Sequence, residues 1–274
     1  MNPGSEKALA LIAACMPEFG ATELGRSGGE LLVSLPVPLA DGRAPIYSLN
    51  IAVFGASAVA REISPLLLPA FCPERHINRD GSFCLYWRDV DDIVIDRPDA
   101  AWAWWETLVR FLQLQTRAAR LRCWPDGQGR AHGPAAALHQ LRAESAAERL
   151  GEPFPSYLAD RRLTVTVRGG GSEGPAVQVL RDGQRLFSVW VRSARVVNLR
   201  RPCVCPAGGR RRPAVLRSCG DHAEQAAILA IELHRMREEE EAFWEVLRGA
   251  PCCGSIEGCP LATDAHACRP ARAA

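Results

Sequence analysis

Two groups of residues in this chain have the types and spacing to do chemistry. The first is the stretch HINRDGSFCLYW, residues 76–87, where Cys84 follows a turn containing Gly81, with Asn78 six and His76 eight positions upstream. A cysteine in a loop next to glycine can be approached by a large partner without side-chain obstruction. Its thiolate attacks carbonyl carbon and can carry an acyl group as a thioester. A side-chain amide nearby can donate to the developing oxyanion, worth ~3 kcal/mol when well placed, and Asn78 is the candidate. His76 suits a role in shaping the loop through hydrogen bonds better than that of a base. Asp89, Asp91 and Asp92 follow the cysteine and are candidates to orient an incoming neutral amine. The competing reading of Cys84 is a buried core cysteine, because free cysteine is among the most buried residue types. A Cys/His hydrolase would want its cysteine at the start of a helix, and CLYWRDVDD does not read as one.

The second group lies near the C-terminus. Seven of the eleven cysteines fall between Cys203 and Cys268. Cys203-x-Cys205 is followed, after thirteen residues, by Cys219-x-x-His222, and further on come Cys252, Cys253, Cys259, His266 and Cys268. Zinc takes four thiolate or imidazole ligands in a tetrahedron, often supplied as pairs close in sequence. One set is therefore Cys203, Cys205, Cys219 and His222. A second draws on Cys252 or Cys253 with Cys259, His266 and Cys268, and a single site shared across the intervening helix is the third arrangement. A thiol-rich tail without metal is the alternative. Arg200, Arg201, Arg210, Arg211 and Arg212 form a basic cluster read as a solvated loop, as is the acidic run 238–241.

These residues need elements to hold them. An N-terminal helix is expected, with Ser5 as N-cap and Leu9, Ile12, Ala13 and Met16 on one face. Alternating apolar residues predict strands over 31–39 and 47–54, joined at Asp41-Gly42. ISPLLLPAFCP reads as a third extended segment whose prolines favour an edge. After the Cys84 loop, a helix is expected with Asp99 as cap and Trp102, Trp105, Leu108, Val109 and Leu112 on its apolar face. AAALHQLRAESAAERL reads as another helix, with His132 and His139 as surface residues. GEPFPSY reads as a linker. Strands follow, with Asp182-Gly183 as a hairpin turn between 177–180 and 186–191, and then a long helix from DHAEQ onward. Cys15, Cys72 and Cys123 are read as packing residues, and Trp102, Trp104 and Trp105 as core.

This order of elements, with Gly81-Ser82-Phe83-Cys84-Leu85, resembles the ubiquitin-conjugating (E2) family. That family's signature is His-Pro-Asn, a short spacer, and Gly-x-x-Cys-Leu. Here His76-Ile77-Asn78 stands for the triad, with Ile77 in place of proline, and the spacer Arg79-Asp80 is short, as in divergent bacterial E2-like proteins of conjugation and antiphage operons. AWWETLVRFLQLQ looks like the long helix after the E2 active site. The resemblance implies an α+β, UBC-like fold with an antiparallel sheet on helices over residues 1–150. A linker at 151–162 and a small β-containing, Cys-rich domain with a long helix at 163–274 would follow. It further implies that Cys84 receives a ubiquitin-like protein from an E1-like activating enzyme and passes it to an amine on a protein target. The rival expectation is a non-catalytic E2-variant scaffold whose C-terminal domain recognises a partner.

Bulk properties narrow the field. A net charge of +2 on 274 residues gives no call for nucleic acid or an anionic membrane surface. Apolar windows are broken by charge or proline well short of the ~20 residues of a membrane span, and the N-terminus lacks a signal-peptide pattern. A cytoplasmic protein is expected, and in a reducing compartment its cysteines point to structural zinc or thiol chemistry rather than to disulfides.

Overall fold

A computed structural model of the chain describes residues 3–87, 93–125, 129–169, 173–205 and 215–262. The chain divides into two compact units: 1–126 together with 249–274, and 127–248.

In the first unit, α1 (Pro3–Cys15) leads through a 3-10 turn (Met16–Phe19) into a four-stranded meander of β1 (Thr22–Ser27), β2 (Glu30–Pro36), β3 (Ile46–Phe54) and β4 (Ser57–Glu62). The order is β1-β2-β3-β4, every pair antiparallel. Period-2 alternation sends Leu31, Val33 and Leu35 of β2, and Tyr47, Leu49, Ile51 and Val53 of β3, into one core. A second 3-10 turn (Pro73–Arg75) precedes the Cys84 loop, and α2 (Pro98–Leu121) follows it. Trp104 and Trp105 of α2 are fully buried; the Trp105 indole N–H donates to the Ile12 carbonyl of α1 at 2.9 Å and that of Trp104 to Ala58 of β4 at 3.4 Å. Two large aromatics thus join helix to helix and helix to sheet while meeting their own polar needs.

Several local expectations change. Ser5 lies inside α1 rather than capping it, and its hydroxyl accepts from the Gly55 N–H at 2.9 Å. The helix α2 starts one residue before Asp99, with Pro98 in the first turn and Arg97 at the cap position. Its core face is Trp104, Trp105, Leu108, Phe111 and Leu112, while Trp102 is 40% exposed against Phe19. Residues 63–73 form no strand; Glu62 instead accepts the Leu67 and Leu68 N–H groups, turning the chain away from the sheet. Cys15 and Cys72 are buried as expected, but Cys123 is exposed.

In the second unit, α3 (Pro134–Leu150) and the short α4 (Phe154–Ala159) precede an antiparallel sheet of β5 (Leu163–Arg168), β6 (Ala176–Arg181), β7 (Gln184–Trp190) and β8 (Arg195–Val196). The long α5 (His222–Val246) completes the unit. Asp182 and Gly183 both have positive φ, as the two-residue β6–β7 turn requires. The helices α3 and α5 pack together with Ala143, Ala146 and Ala147 of the one and Ala226, Ala227 and Ala230 of the other buried in one core, and such small side chains let two helices approach closely. His139 and His132 are not surface residues. The first bonds Glu232 through Nδ1 at 2.6 Å and the second bonds Glu240 at 2.9 Å, both partners on α5. Glu240 is accordingly drawn out of the solvated acidic face, and buried Glu232 has a partner for its charge.

The division of the chain therefore differs from the expected one. Residues 134–150 pack with the second unit, because α3 buries its alanines on α5. The expected linker carries α4, whose Phe154 is buried in the same core. Residues 249–262 return to the first unit: the Glu257 N–H donates to the Arg122 carbonyl at 2.7 Å, and the Arg122 guanidinium meets the Glu257 carboxylate at 3.0 Å.

Candidate functional site

The loop that displays Cys84 is built almost wholly from backbone hydrogen bonds. Cys72 and Ile77 bond each other in both directions, N–H to carbonyl, at 3.0 and 3.1 Å across the 3-10 turn. His76 closes that turn with φ of +54°, and its ring meets Trp124 edge-on at 4.7 Å. The Phe83 N–H donates to Ala60 of β4 at 2.8 Å, and the Phe83 ring stacks on Phe111 of α2 at 5.0 Å. Ile77 and Phe83 are both buried, and the next residue, Cys84, is exposed. The Cys84 N–H donates to the His76 carbonyl at 2.8 Å, so the cysteine backbone is tied to the turn that carries His76.

Ile77 has a physical reason to replace proline. Its N–H is one half of the two-way pair with Cys72, and proline has no N–H to give.

Between Ile77 and Phe83 the chain makes a tight turn. Gly81 adopts φ of +80°, and its N–H donates to the Asn78 carbonyl at 3.0 Å. The Asp80 carboxylate accepts from both the N–H and the hydroxyl of Ser82, at 3.0 and 2.6 Å, an Asx-type turn. Those bonds from Ser82 hold the Asp80 carboxyl below the usual carboxylate range. The Asn78 amide donates to the Ser82 hydroxyl at 3.0 Å. The structure thus brings His76 and Cys84 together through a backbone bond, while the side chain of Asn78 is engaged within the turn. Asp80 and Ser82 were missed as positioning residues, although Asp-Gly-Ser is itself a turn signal. Asp89, Asp91 and Asp92 lie outside the described residues.

The second unit gathers Cys203, Cys205, Cys219 and His222 so that their ligand atoms all lie within 4.8 Å of one another. Cys203 Sγ is 3.3 Å and Cys219 Sγ 3.4 Å from His222 Nδ1, and Cys205 Sγ is 3.7 Å from Cys219 Sγ. A zinc tetrahedron with Zn–S near 2.3 Å and Zn–N near 2.0–2.1 Å has S–S edges of about 3.8 Å and S–N edges of about 3.5 Å. The donor set and its spacing therefore fit a metal ion of that kind. The elements responsible are the turn after β8, a 3-10 turn at Leu216–Ser218, and the first residue of α5. Leu216, fully buried, and a backbone bridge between Pro202 and Val215 bring the two ligand pairs together. This cluster is the first of the sets expected from spacing.

Only part of the second expected set lies among the described residues. Cys252, Cys253 and Cys259 belong to the first unit, and among the described residues they join no group of three ligand atoms. His266 and Cys268 lie outside the described residues, as do Arg210, Arg211 and Arg212 of the basic cluster.

An exposed thiol beside a buried backbone frame on an α+β domain is thus followed by a unit whose Cys3His cluster could hold a metal ion. Comparison with known families gives this arrangement its place. Residues 19–126 match the family described as prokaryotic E2 domain, and residues 131–261 the family described as cysteine-rich domain, C-terminal to E2 domain. The chain carries a prokaryotic E2 domain followed by a C-terminal cysteine-rich domain. Neither the curated proteins nor the solved structures contain a significant match to it. The family boundary at 261 extends past the packing boundary at 248, because the segment after Arg248 folds onto the E2 unit. Among the described residues, no helix is long and apolar enough to cross a membrane.

Proposed function

We propose that the protein is an E2-like conjugating enzyme. In this reading Cys84 accepts a ubiquitin-like protein from an E1-like enzyme as a thioester and transfers it to an amine on a protein target. The observation that carries the reading is the exposure of Cys84 immediately after the buried anchor Phe83, within a prokaryotic E2 domain. Loading exchanges one thioester for another. The Cys84 thiolate attacks the carbonyl carbon of the E1-bound thioester, and the E1 cysteine leaves as thiolate. Transfer then forms an amide, with Cys84 leaving as thiolate and the amine losing a proton. Asn78 is the proposed oxyanion donor, which requires its amide to turn from the Ser82 hydroxyl toward the reacting carbonyl. His76 shapes the loop through its carbonyl and its contact with Trp124. The short spacer, like that of bacterial operon-encoded relatives, supports placement in a bacterial conjugation or antiphage defence system.

In the second unit, Cys203, Cys205, Cys219 and His222 are the proposed ligands of a structural zinc ion, on the strength of their tetrahedral spacing. Four protein ligands leave no open coordination position for catalysis.

The test is reconstitution with a cognate E1-like enzyme and ubiquitin-like protein. Wild-type protein should form an adduct that a thiol reductant cleaves, Cys84→Ser an ester resistant to reductant, and Cys84→Ala none. A thioester still formed by Cys84→Ala would overturn the assignment.

A further inference from the structure

The returning segment of the first unit carries a thiol pair that the conjugating site does not use. Cys253 Sγ lies 2.9 Å from Cys72 Sγ, across 181 positions of sequence. A disulfide needs its sulfurs near 2.05 Å, so the two must close by under about 1 Å. Both sulfurs sit on anchored backbone. Cys72 is buried and bonds Ile77 in both directions, while the Cys253 segment is fixed by Ser255 to Arg75 and by Glu257 to Arg122.

The charge around the pair is unusual. Arg75 is 3% exposed, and among the described residues no carboxylate forms an ion pair with it. Its guanidinium donates instead to the Gln115 side chain at 2.8 Å, to the Gln115 carbonyl at 3.0 Å and to the Ser255 hydroxyl at 3.1 Å. That hydroxyl is 3.0 Å from Cys253 Sγ. Cys253 is the half-buried member of the pair and Cys72 the buried one, so a small oxidant reaches Cys253 first, with the Cys72 sulfur in contact behind it.

We propose that Cys253 and Cys72 are a peroxide-reactive pair that oxidises to an intramolecular disulfide, fastening the returning C-terminal segment to the base of the Cys84 loop. The Cys253 thiolate attacks one oxygen of hydrogen peroxide, forming an S–O bond and breaking O–O; hydroxide leaves and takes a proton to become water. The Cys72 thiol then attacks the Cys253 sulfenic acid, forming S–S and releasing a second water that carries the thiol proton. Peroxide is reduced by two electrons and the cysteine pair is oxidised by two. A small-molecule dithiol reverses the step by exchange, becoming the disulfide itself.

Full-length protein, reduced and freed of reductant, would be treated with one equivalent of hydrogen peroxide, alkylated, and digested without reduction. The expected result is a Cys72–Cys253 linked peptide lighter by two hydrogens than the sum of its parts, with Cys84 still alkylated. In Cys72→Ser, Cys253 should be trapped as a sulfenic acid that dimedone labels. Because Cys72 is buried and its replacement disturbs packing, the half-buried Cys253→Ser serves as the second arm, losing the linked peptide and leaving Cys72 reduced. Absence of the link in wild type would overturn the proposal, as would oxidation of Cys84 ahead of the pair, unchanged peroxide consumption in Cys253→Ser, or a metal ion held by Cys253 in the reduced protein. These readouts need no conjugation partner, so they stand or fall apart from the role of Cys84.

Discussion

The Cys84 loop and the Cys203 cluster handle the same side chain in opposite ways. In the loop, a single thiol is carried outward by backbone hydrogen bonds among Cys72, His76, Ile77, Phe83 and Ala60, and the hydrophobic anchors sit on its neighbours. In the cluster, four ligand side chains converge from two sequence pairs, and Cys203 is itself buried. An exposed thiol depends on the frame behind it, so the frame can tolerate loss of the sulfur. A convergent cluster that holds a metal ion, as proposed, would itself be part of the frame, adding to buried Leu216 and the Pro202–Val215 bridge that bring the two pairs together. The difference predicts where damage spreads: removing a sulfur from the loop should abolish chemistry and spare the fold, and removing a ligand from the cluster should do the reverse.

The largest effect on stability should come from metal. Chelation, or Cys203→Ser, should cost the second unit several kcal/mol, since binding of a structural ion is coupled directly to folding. The loss should fall short of a zinc finger's ~10 kcal/mol, because this unit also has the apolar core of Phe154, Val177, Phe187 and Leu229. Calorimetry with and without chelator should show one transition shift while the E2 unit's stays in place. A protein free of bound metal after purification, with an unmoved transition, would sink the idea. Asn78→Ala comes next. As oxyanion donor its loss should slow transfer to the amine by ~100-fold and leave loading almost intact. Ser82→Ala separates that role from turn-holding, because it removes the hydroxyl that Asn78 bonds in this structure and keeps the amide. Equal slowing in single-turnover assays of both variants would reduce Asn78 to a turn residue.

A smaller effect is expected where the chain departs from the family motif. Ile77→Pro restores the consensus triad but deletes the N–H that bonds the Cys72 carbonyl, which keeps the Arg75 N–H at 2.9 Å as its other donor. Loss of that one hydrogen bond should cost the E2 unit about 0.5–1.5 kcal/mol of stability, read by urea denaturation. A variant as stable as wild type would mean that the two-way pair contributes little and that the frame rests on Phe83 alone.

What the sequence makes legible follows from where the determining forces are local. The β2–β3 and β6–β7 hairpins announce themselves because burial alternates along β2 and β7 and the connections contain Asp-Gly. The strand β1 does not, since residues 22–27 are nearly all exposed and it is held by pairing with β2 rather than by a buried face. The Cys203 cluster can be read because its ligands come as close pairs; the partnership of Cys72 with Cys253 cannot, since nothing local marks the return of residues 249–262 to the E2 unit. His132 and His139 look like surface residues because their glutamates lie across a helix pair, on α5. For Cys84 the motif sufficed to nominate the residue, but the direction of the Asn78 side chain depends on Ser82 and Asp80, through contacts that the motif does not encode.

The smallest effect tests the frame from its edge. Asp80 accepts two bonds from Ser82, and these lower its carboxyl pKa in the folded protein. The sign follows from linkage: a carboxyl depressed on folding stabilises the fold fully above its unfolded value, near 3.9, and that contribution is lost as pH falls from there through the folded value. Asp80→Asn should therefore cost about 1 kcal/mol or less at neutral pH, because the group lies near solvent. The difference from wild type should shrink in acid, where both carry a neutral side chain. Because Ser82 is also what engages Asn78, loosening this turn should release the amide, so amine transfer should change more than loading does. Denaturation of the two proteins at neutral and acidic pH, beside single-turnover assays, checks both points. A stability gap that persists unchanged in acid would show that the Asp80 charge plays no part, and unaltered transfer would show that the frame around Cys84 does not depend on this turn.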